Sequence, residues 1–172
     1  MNVLEIVPHF GFANSFLKGR MGYFQSQGMD MHLASSWDDA LPAFALNEGI
    51  SYMHTEMLRI PSPINDIKAV FRICRYIRHQ HIDCVVGHAD KGKLLACICG
   101  MLTRTKVILF AHGTSFEGRK GISRRVFVTL DHIESSIAQR VICVSPFLVE
   151  LRLKEGIDRK GKAYLPNLGS CG

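Results

Sequence analysis

A chain of 172 residues can bury one good core but is too short for two full α/β domains. With 47% hydrophobic and 21% charged residues it is too apolar for intrinsic disorder, and it carries no collagen, coiled-coil or low-complexity signature. The net charge of +6 suits an anionic partner such as a nucleotide, a phosphate, an acidic lipid or nucleic acid, without choosing among them. No apolar run approaches the roughly 18 residues of a membrane span. Met1-Asn2-Val3-Leu4-Glu5 has neither the basic region nor the cleavage site of a signal peptide, so a cytoplasmic chain is expected. Reduced thiols are expected with it. Of the six cysteines, Cys74, Cys84, Cys97, Cys99 and Cys143 lie in strongly apolar segments and Cys171 lies near the end.

In chain order, residues 2–7 form a short apolar run ended by Pro8 and Gly11, which reads as a buried strand. Asn14 or Ser15 can cap one helix running to about residue 27, with Phe16, Leu17, Met21 and Phe24 on its apolar face and Gly28 ending it. A second strand follows at 29–35, a short helix near 41–47 and a strand at 50–54. Pro61 and Pro63 block helix until Asn65, after which Ile67, Val70, Phe71, Cys74 and Ile77 repeat at helical spacing up to His79. Strand at 83–87, helix at 91–102 and strand at 106–111 come next. The helix at 123–138 aligns Val126, Leu130, Ile133 and Ile137, and a strand follows at 140–144. Ser145-Pro146 then supplies an N-cap and a proline at the first helical position, opening a helix that stops near Gly156, and 162–165 closes the series.

Strands alternating with such helices imply an α/β, Rossmann-like, doubly wound and mainly parallel sheet. Val3, Ile6, Val85, Val86, Ile108, Leu109, Val141, Ile142 and Val144 are expected to be buried in it. Ligands of such sheets collect beyond the carboxyl ends of the strands, so the residues following each strand are the ones to weigh. After the first strand, the turn from Pro8 to Ser15 lacks the GxGxxG spacing, and no acidic residue ends the second strand, which disfavours NAD. Lys18 and Arg20 follow, either on a solvated face or toward a substrate. The segment Gly87-His88-Ala89-Asp90-Lys91-Gly92-Lys93 is polar and glycine-spaced, with Asp90 able to act as a simple helix cap. The segment from Phe110 to Gly118 is the most informative. His112 stands at a strand end with a pKa near working pH, followed at once by Gly113, Thr114 and Ser115, which suits contact with a substrate hydroxyl. Glu117 can serve as a base or pair with Arg119 or Lys120. P-loop, zinc-protease and serine-hydrolase motifs do not occur, and neither a metal nor a cofactor is expected.

The ordered set of motifs resembles the N-terminal domain of glycosyltransferase family 4, retaining sugar transferases with the GT-B fold of two Rossmann-like domains. The matching residues are Ser15-Phe16-Leu17-Lys18-Gly19-Arg20 with Gly28, Asp83-Cys84-Val85-Val86-Gly87-His88, and Lys91-Gly92-Lys93-Leu94-Leu95-Ala96. Further along are Phe110-Ala111-His112-Gly113-Thr114-Ser115-Phe116, Val141-Ile142-Cys143-Val144-Ser145 and the stretch from Leu165 to Gly172. The resemblance implies one domain over residues 1–166 with the start of an interdomain linker at 167–172. The partner domain that carries the donor site is absent from the sequence, so the chain alone is expected to be inactive. It implies His112 as a catalytic contact to the transferring sugar or acceptor, Gly11, Lys18, His88, Gly113 and Thr114 as substrate-binding, and Ser145 near the rim. Phe10-Gly11-Phe12 stands where many members have a glycine pair.

The implied partners are a nucleotide-sugar donor as substrate and a sugar acceptor of a capsule, O-antigen or similar pathway, with no nucleic acid. The alternatives are a stand-alone module that binds a phosphorylated small molecule and a noncatalytic partner of a separate donor-domain chain. Because such acceptors are often lipid-linked, peripheral contact with the inner face of a membrane is also implied. Lys68, Arg72, Arg75 and His79 form a basic stripe at helical spacing, expected opposite Ile67, Phe71, Cys74 and Ile77. Arg119, Lys120, Arg124 and Arg125 form a second basic group; plain solvated faces are the alternative for both.

Overall fold

The alternation of strands and helices closes into a single layer of parallel strands covered on both faces. The computed structural model describes residues 1–58, 60 and 62–166. In chain order the elements are β1 (Asn2–Ile6), α1 (Phe10–Phe16), α2 (Arg20–Ser26), β2 (Asp30–Ser35), α3 (Leu41–Glu48), β3 (Ser51–His54) and α4 (Pro63–His79). Then follow β4 (Cys84–His88), α5 (Ala89–Thr103), β5 (Lys106–Ala111), α6 (Gly121–Ile137), β6 (Arg140–Cys143), α7 (Pro146–Lys154) and β7 (Ala163–Tyr164). Among the described residues the sheet has the order β3-β2-β1-β4-β5-β6-β7, and every neighbouring pair is parallel. The proposed linker at 167–172, with Cys171, lies outside the described residues.

Alternate side chains of a strand point to opposite faces, so each strand feeds two cores. Leu4, Ile6, Val85 and Leu109 pack with Ile73 and Ile77 of α4 and Leu95 of α5. Val3, Val7 and Val86 pack with Phe10, Leu17, Met21, Leu41 and Phe44 from α1, α2 and α3 and the turns between them. Ile108, Ile142 and Val144, expected to be buried, are only partly so. They touch the second core at β5 and β6, whereas α2 and α3 cover β2 and β3. The five cysteines of the described residues are free thiols buried in apolar surroundings, as their sequence context implies.

Three local expectations are corrected by tertiary contacts. The helix expected from Asn14 to about residue 27 is two short helices parted at Gly19, whose φ of 76° lies in the left-handed region that glycine tolerates. Ser15 does not cap it; its hydroxyl donates to the Gly11 carbonyl. The start of α2 is instead capped from a distance, by Glu48 at the end of α3, which accepts from Gly19 N at 2.7 Å and Gly22 N at 2.8 Å. Pro63 does not block α4 but opens it, since a proline at the first helical position gives up only an N–H that would be unpaired anyway. The buried face of α4 is Ala69, Ile73, Cys74 and Ile77, while Ile67 and Phe71 are each 69% exposed. The basic stripe therefore does not oppose Ile67 and Phe71 but borders them.

The third correction is α6. Its aligned Val126, Leu130 and Ile133 face outward, and its inward face is Asp131, Glu134 and Ser135. They meet Lys93 of α5, whose Nζ lies 2.7 Å from Asp131 Oδ1 and 3.3 Å from Glu134 Oε2. Arg152 of α7 lies 2.6 Å from Asp158 and 3.5 Å from Asp131, and the Ser135 hydroxyl donates to Asp158. Three carboxylates face two cations in a buried cluster, and a proton on Glu134 makes it neutral. Burial first, then the Asp131 charge, push the Glu134 carboxyl up to about 7 against the pull of Lys93. A carboxyl raised in the folded state contributes stability that is complete below its unfolded pKa and is lost as pH rises through the folded one. Thermal stability is therefore expected to decline as pH rises from the ordinary carboxyl value of 4.5 to about 7 and to level off above it, and Glu134→Gln should flatten that decline. Equal slopes of melting temperature against pH in parent and variant would reject this reading.

Candidate active site

The site forms where the strand order reverses. From β1 the chain winds outward to β2 and β3 and then returns to β4 on the other side of β1, so the switch point, where sheets of this kind bind ligands, lies at the carboxyl ends of β1 and β4. Glu5 is set in β1 on the face of Val3 and Val7. Register places Glu5 beside Val86 and His88 beside Phe110, so His88 two residues on from Val86 joins the same face. His112 follows β5 immediately. The turn from β4 into α5 is tight. Ala89 has φ 52°, a left-handed conformation that costs a non-glycine residue about 1–2 kcal/mol. A Cβ on Gly92 would stand 2.5 Å from the Ile6 carbonyl oxygen, so only glycine lets the first turn of α5 approach the end of β1.

These strands deliver one chain of polar side chains. Arg20 Nη2 donates to Glu5 Oε1 at 2.7 Å, Glu5 Oε2 lies 2.5 Å from His88 Nε2, and His88 Nδ1 lies 3.1 Å from His112 Nε2. Glu5 and His88 are buried and His112 is partly exposed. Aromatic rings enclose them. Phe110 stacks on both imidazoles, at 5.2 Å from His88 and 4.8 Å from His112, and carries the Arg20 guanidinium over its ring at 4.9 Å. Phe12 meets His112 edge-on at 4.9 Å and Phe16 lies at the same distance. Burial pushes the Glu5 carboxyl up, but Arg20 and His88 outweigh it and hold it below the usual carboxylate range. Burial first, and then its neighbours His88 and Arg20, lower His112 to about 4, with Glu5 opposing. His112 is therefore a neutral imidazole at neutral pH, suited to a hydrogen bond with a hydroxyl and not to pairing with an anion.

Of the residues expected at the site, His88 and His112 are brought into direct contact. His88, expected on the cleft wall, is fully buried behind His112. Gly113 is exposed beside it, and Thr114 donates to Glu117 at 2.7 Å. Ser115 donates to Asp90 across the β4 and β5 loops. Gly11, in the first turn of α1, and Lys18, between α1 and α2, are exposed. Ser145 caps α7, its oxygen accepting from Leu148 N at 3.3 Å. Lys68, Arg72 and Arg75 lie elsewhere, on the outer edge of the sheet, lining a groove of about 1030 Å³ between α4 and β3 together with Ile67, Phe71 and Met53. Arg124 forms an ion pair with Glu155 at 2.6 Å, and Arg125 is exposed. Glu5 escaped the reading from sequence. Its only signal is an acidic residue among apolar neighbours in a strand buried on both faces, a position that demands a partner. Among the described residues no cluster of three or more His, Cys, Asp or Glu is placed to hold a metal ion, and no helix is long and apolar enough to cross a membrane.

The family profile described as glycosyl transferase 4-like domain matches residues 21–167. The chain belongs to this glycosyltransferase family. No curated protein matches the sequence. Solved structures share the fold. A glycosyltransferase from Rickettsia africae ESF-5 superposes with a TM-score of 0.74 at 16% identity, over 95% of this chain and 41% of its own. The lipopolysaccharide outer core galactosyltransferase WaaB, in its apo form, gives 0.67 at 15% identity, over 96% of this chain and 45% of its own. A UDP-N-acetylglucosamine 2-epimerase gives 0.67 at 13% identity, over 95% and 47%. The glycosyltransferase-family chain thus spans less than half the length of these structures. Its Rossmann-like sheet corresponds to one half of a GT-B glycosyltransferase, here the N-terminal domain.

Proposed function

We propose that this domain is the acceptor-side half of a retaining glycosyltransferase that moves a sugar from a nucleotide-sugar donor to a polysaccharide or lipid-linked acceptor. The observation that carries the reading is His112: a neutral imidazole, held by aromatic rings at the switch point of the sheet, in a chain of the glycosyl transferase 4-like family. In this role His112 touches a hydroxyl of the transferring sugar or the acceptor, and Gly11, Lys18, Gly113 and Thr114 line the same cleft. His88 acts from behind, through His112. Ser145 shapes the rim by capping α7. A partner domain supplies the groups that neutralise the diphosphate leaving group, where transition-state charge develops.

Half a cleft can neither orient both reactants nor exclude water. Titration calorimetry of this chain with nucleotide sugars is therefore expected to show weak binding, and the chain is expected to transfer and hydrolyse none. Tight binding would favour a self-standing module for phosphorylated small molecules.

The outer face of α4 supports peripheral contact with a membrane that presents a lipid-linked acceptor. Ile64, Ile67 and Phe71 are each about 70% exposed and stand beside Lys68, Arg72 and Arg75. An apolar strip flanked by cations is what an interfacial helix requires. Each basic side chain near an anionic surface adds roughly 1 kcal/mol, screened as the Debye length shrinks. Anionic vesicles should therefore sediment the protein at low salt and release it at high salt. Replacing Lys68, Arg72 and Arg75 with glutamine should abolish sedimentation, and equal sedimentation of parent and variant would reject the contact.

A further inference from the structure

We propose that Glu5 and His88 are positioning residues that hold His112 in one tautomer, with its proton on Nε2 and Nδ1 bare, so that His112 accepts a hydrogen bond from a substrate hydroxyl. The substrate part rests on the role given to His112 above; the tautomer rests on donors, acceptors and charge balance.

Glu5 fixes the first proton of the relay. Its two carboxylate oxygens are taken, Oε1 by Arg20 Nη2 at 2.7 Å and Oε2 by His88 Nε2 at 2.5 Å. An ionised carboxylate only accepts, so His88 Nε2 carries a proton. A single proton then lies between His88 Nδ1 and His112 Nε2, which are 3.1 Å apart. Two arrangements satisfy that contact. In one, His88 is an imidazolium donating to His112, which places two cations, His88 and Arg20, against the single Glu5 carboxylate at a site where His88 is fully buried. In the other, His88 is neutral and accepts from His112, which leaves Arg20 and Glu5 as a balanced pair. Uncompensated charge in the interior is costly, so the second arrangement prevails.

It has a direct consequence for His112. With its proton committed to His88, Nδ1 is a lone-pair acceptor. That nitrogen has no protein partner among the described residues and is not among the sealed polar atoms of the interior. Ring flipping is opposed by Phe110 stacked on the imidazole at 4.8 Å and by Phe12 and Phe16, each 4.9 Å from it. A hydroxyl entering the crevice thus meets an oriented acceptor, whereas a carboxylate or phosphate oxygen finds no donor on His112. This restricts the contact to donors of hydrogen bonds such as the hydroxyls of a sugar.

Imidazole nitrogen NMR of the isotope-labelled chain at neutral pH tests the relay. His88 and His112 should each show a protonated Nε2 and a proton-free Nδ1. A protonated Nδ1 on His112, or both nitrogens protonated on His88, would overturn the proposal. Glu5→Gln keeps the shape but can offer His88 either end of its amide, so the single His112 tautomer should give way to a mixture. An unchanged tautomer in this variant would show that Glu5 is merely structural and overturn its positioning role. Should the variant fail to fold, the parent spectrum still decides. Turnover is a separate readout: the stated tautomers with unimpaired turnover of His112→Ala would reject the substrate contact and leave the relay standing.

Discussion

Turnover is expected to fall by about ten- to a thousandfold when His112 is replaced by alanine in the chain joined to a donor domain, the range for a lost acid–base or electrostatic contact. The imidazole is the outermost member of a chain whose inner members are held in the sheet, so its loss removes the contact without touching the strands. Stability should change little. His112 is partly exposed and His88 keeps its bond to Glu5, leaving only His88 Nδ1 in need of a partner, which water entering the vacated space can supply. Steady-state rates and a melting curve on the same variant separate the outcomes. Unchanged turnover would make His112 structural, and so would a collapse of the fold.

The largest stability effect is expected at Arg152. Its guanidinium is 1% exposed and binds Asp158 through Nε at 2.6 Å and Nη2 at 3.3 Å, with Asp131 3.5 Å from Nη1. Burial lowers the arginine's pKa, but the bond to Asp158 and the carboxylate charges outweigh it, so the side chain stays charged. Arg152→Met preserves much of the bulk but strands Asp158, which is buried, and leaves Asp131 to Lys93 alone. Removing one partner of a buried pair costs about 3–5 kcal/mol, a large part of the roughly 5–15 kcal/mol that holds a domain folded. At about 2–4 °C per kcal/mol for a chain of this size, the melting temperature should drop by roughly 6–20 °C. Urea denaturation would measure it. A loss below about 1 kcal/mol would mean that water reaches the cluster and screens it as it does a surface pair.

Much of the fold was legible because it rests on local rules. Strands such as β5 and β6 are apolar runs bounded by turns, Ser145-Pro146 opens α7 by capping chemistry alone, and Gly28 ends α2 with φ 83°. The parallel order follows from alternation and crossover handedness, and His112 was found because it ends a recognisable strand. What periodicity cannot supply is rotation and pairing. The stripe on α4 includes Ile67 and Phe71, yet the helix turns Ala69 and Ile73 to the sheet. On α6 the apolar stripe is real, but Lys93 and Arg152 wait on the other side, and burying Asp131 and Glu134 against them turns the stripe outward.

The candidate site divides in the same way. His88 and His112 are each visible at the end of a strand, where a ligand would be sought. Their contact, and the buried Glu5 with its partner Arg20, depend on residues 15 to 83 positions apart in sequence. By itself the sequence determined the order and type of the elements and the strand ends at which polar residues stand, because backbone preference and hydrophobic periodicity act over neighbouring residues. Only the tertiary structure decided which face each helix buries, which charges neutralise one another and which histidine nitrogen meets the crevice, because those depend on electrostatic and packing energies between residues that only the fold brings together.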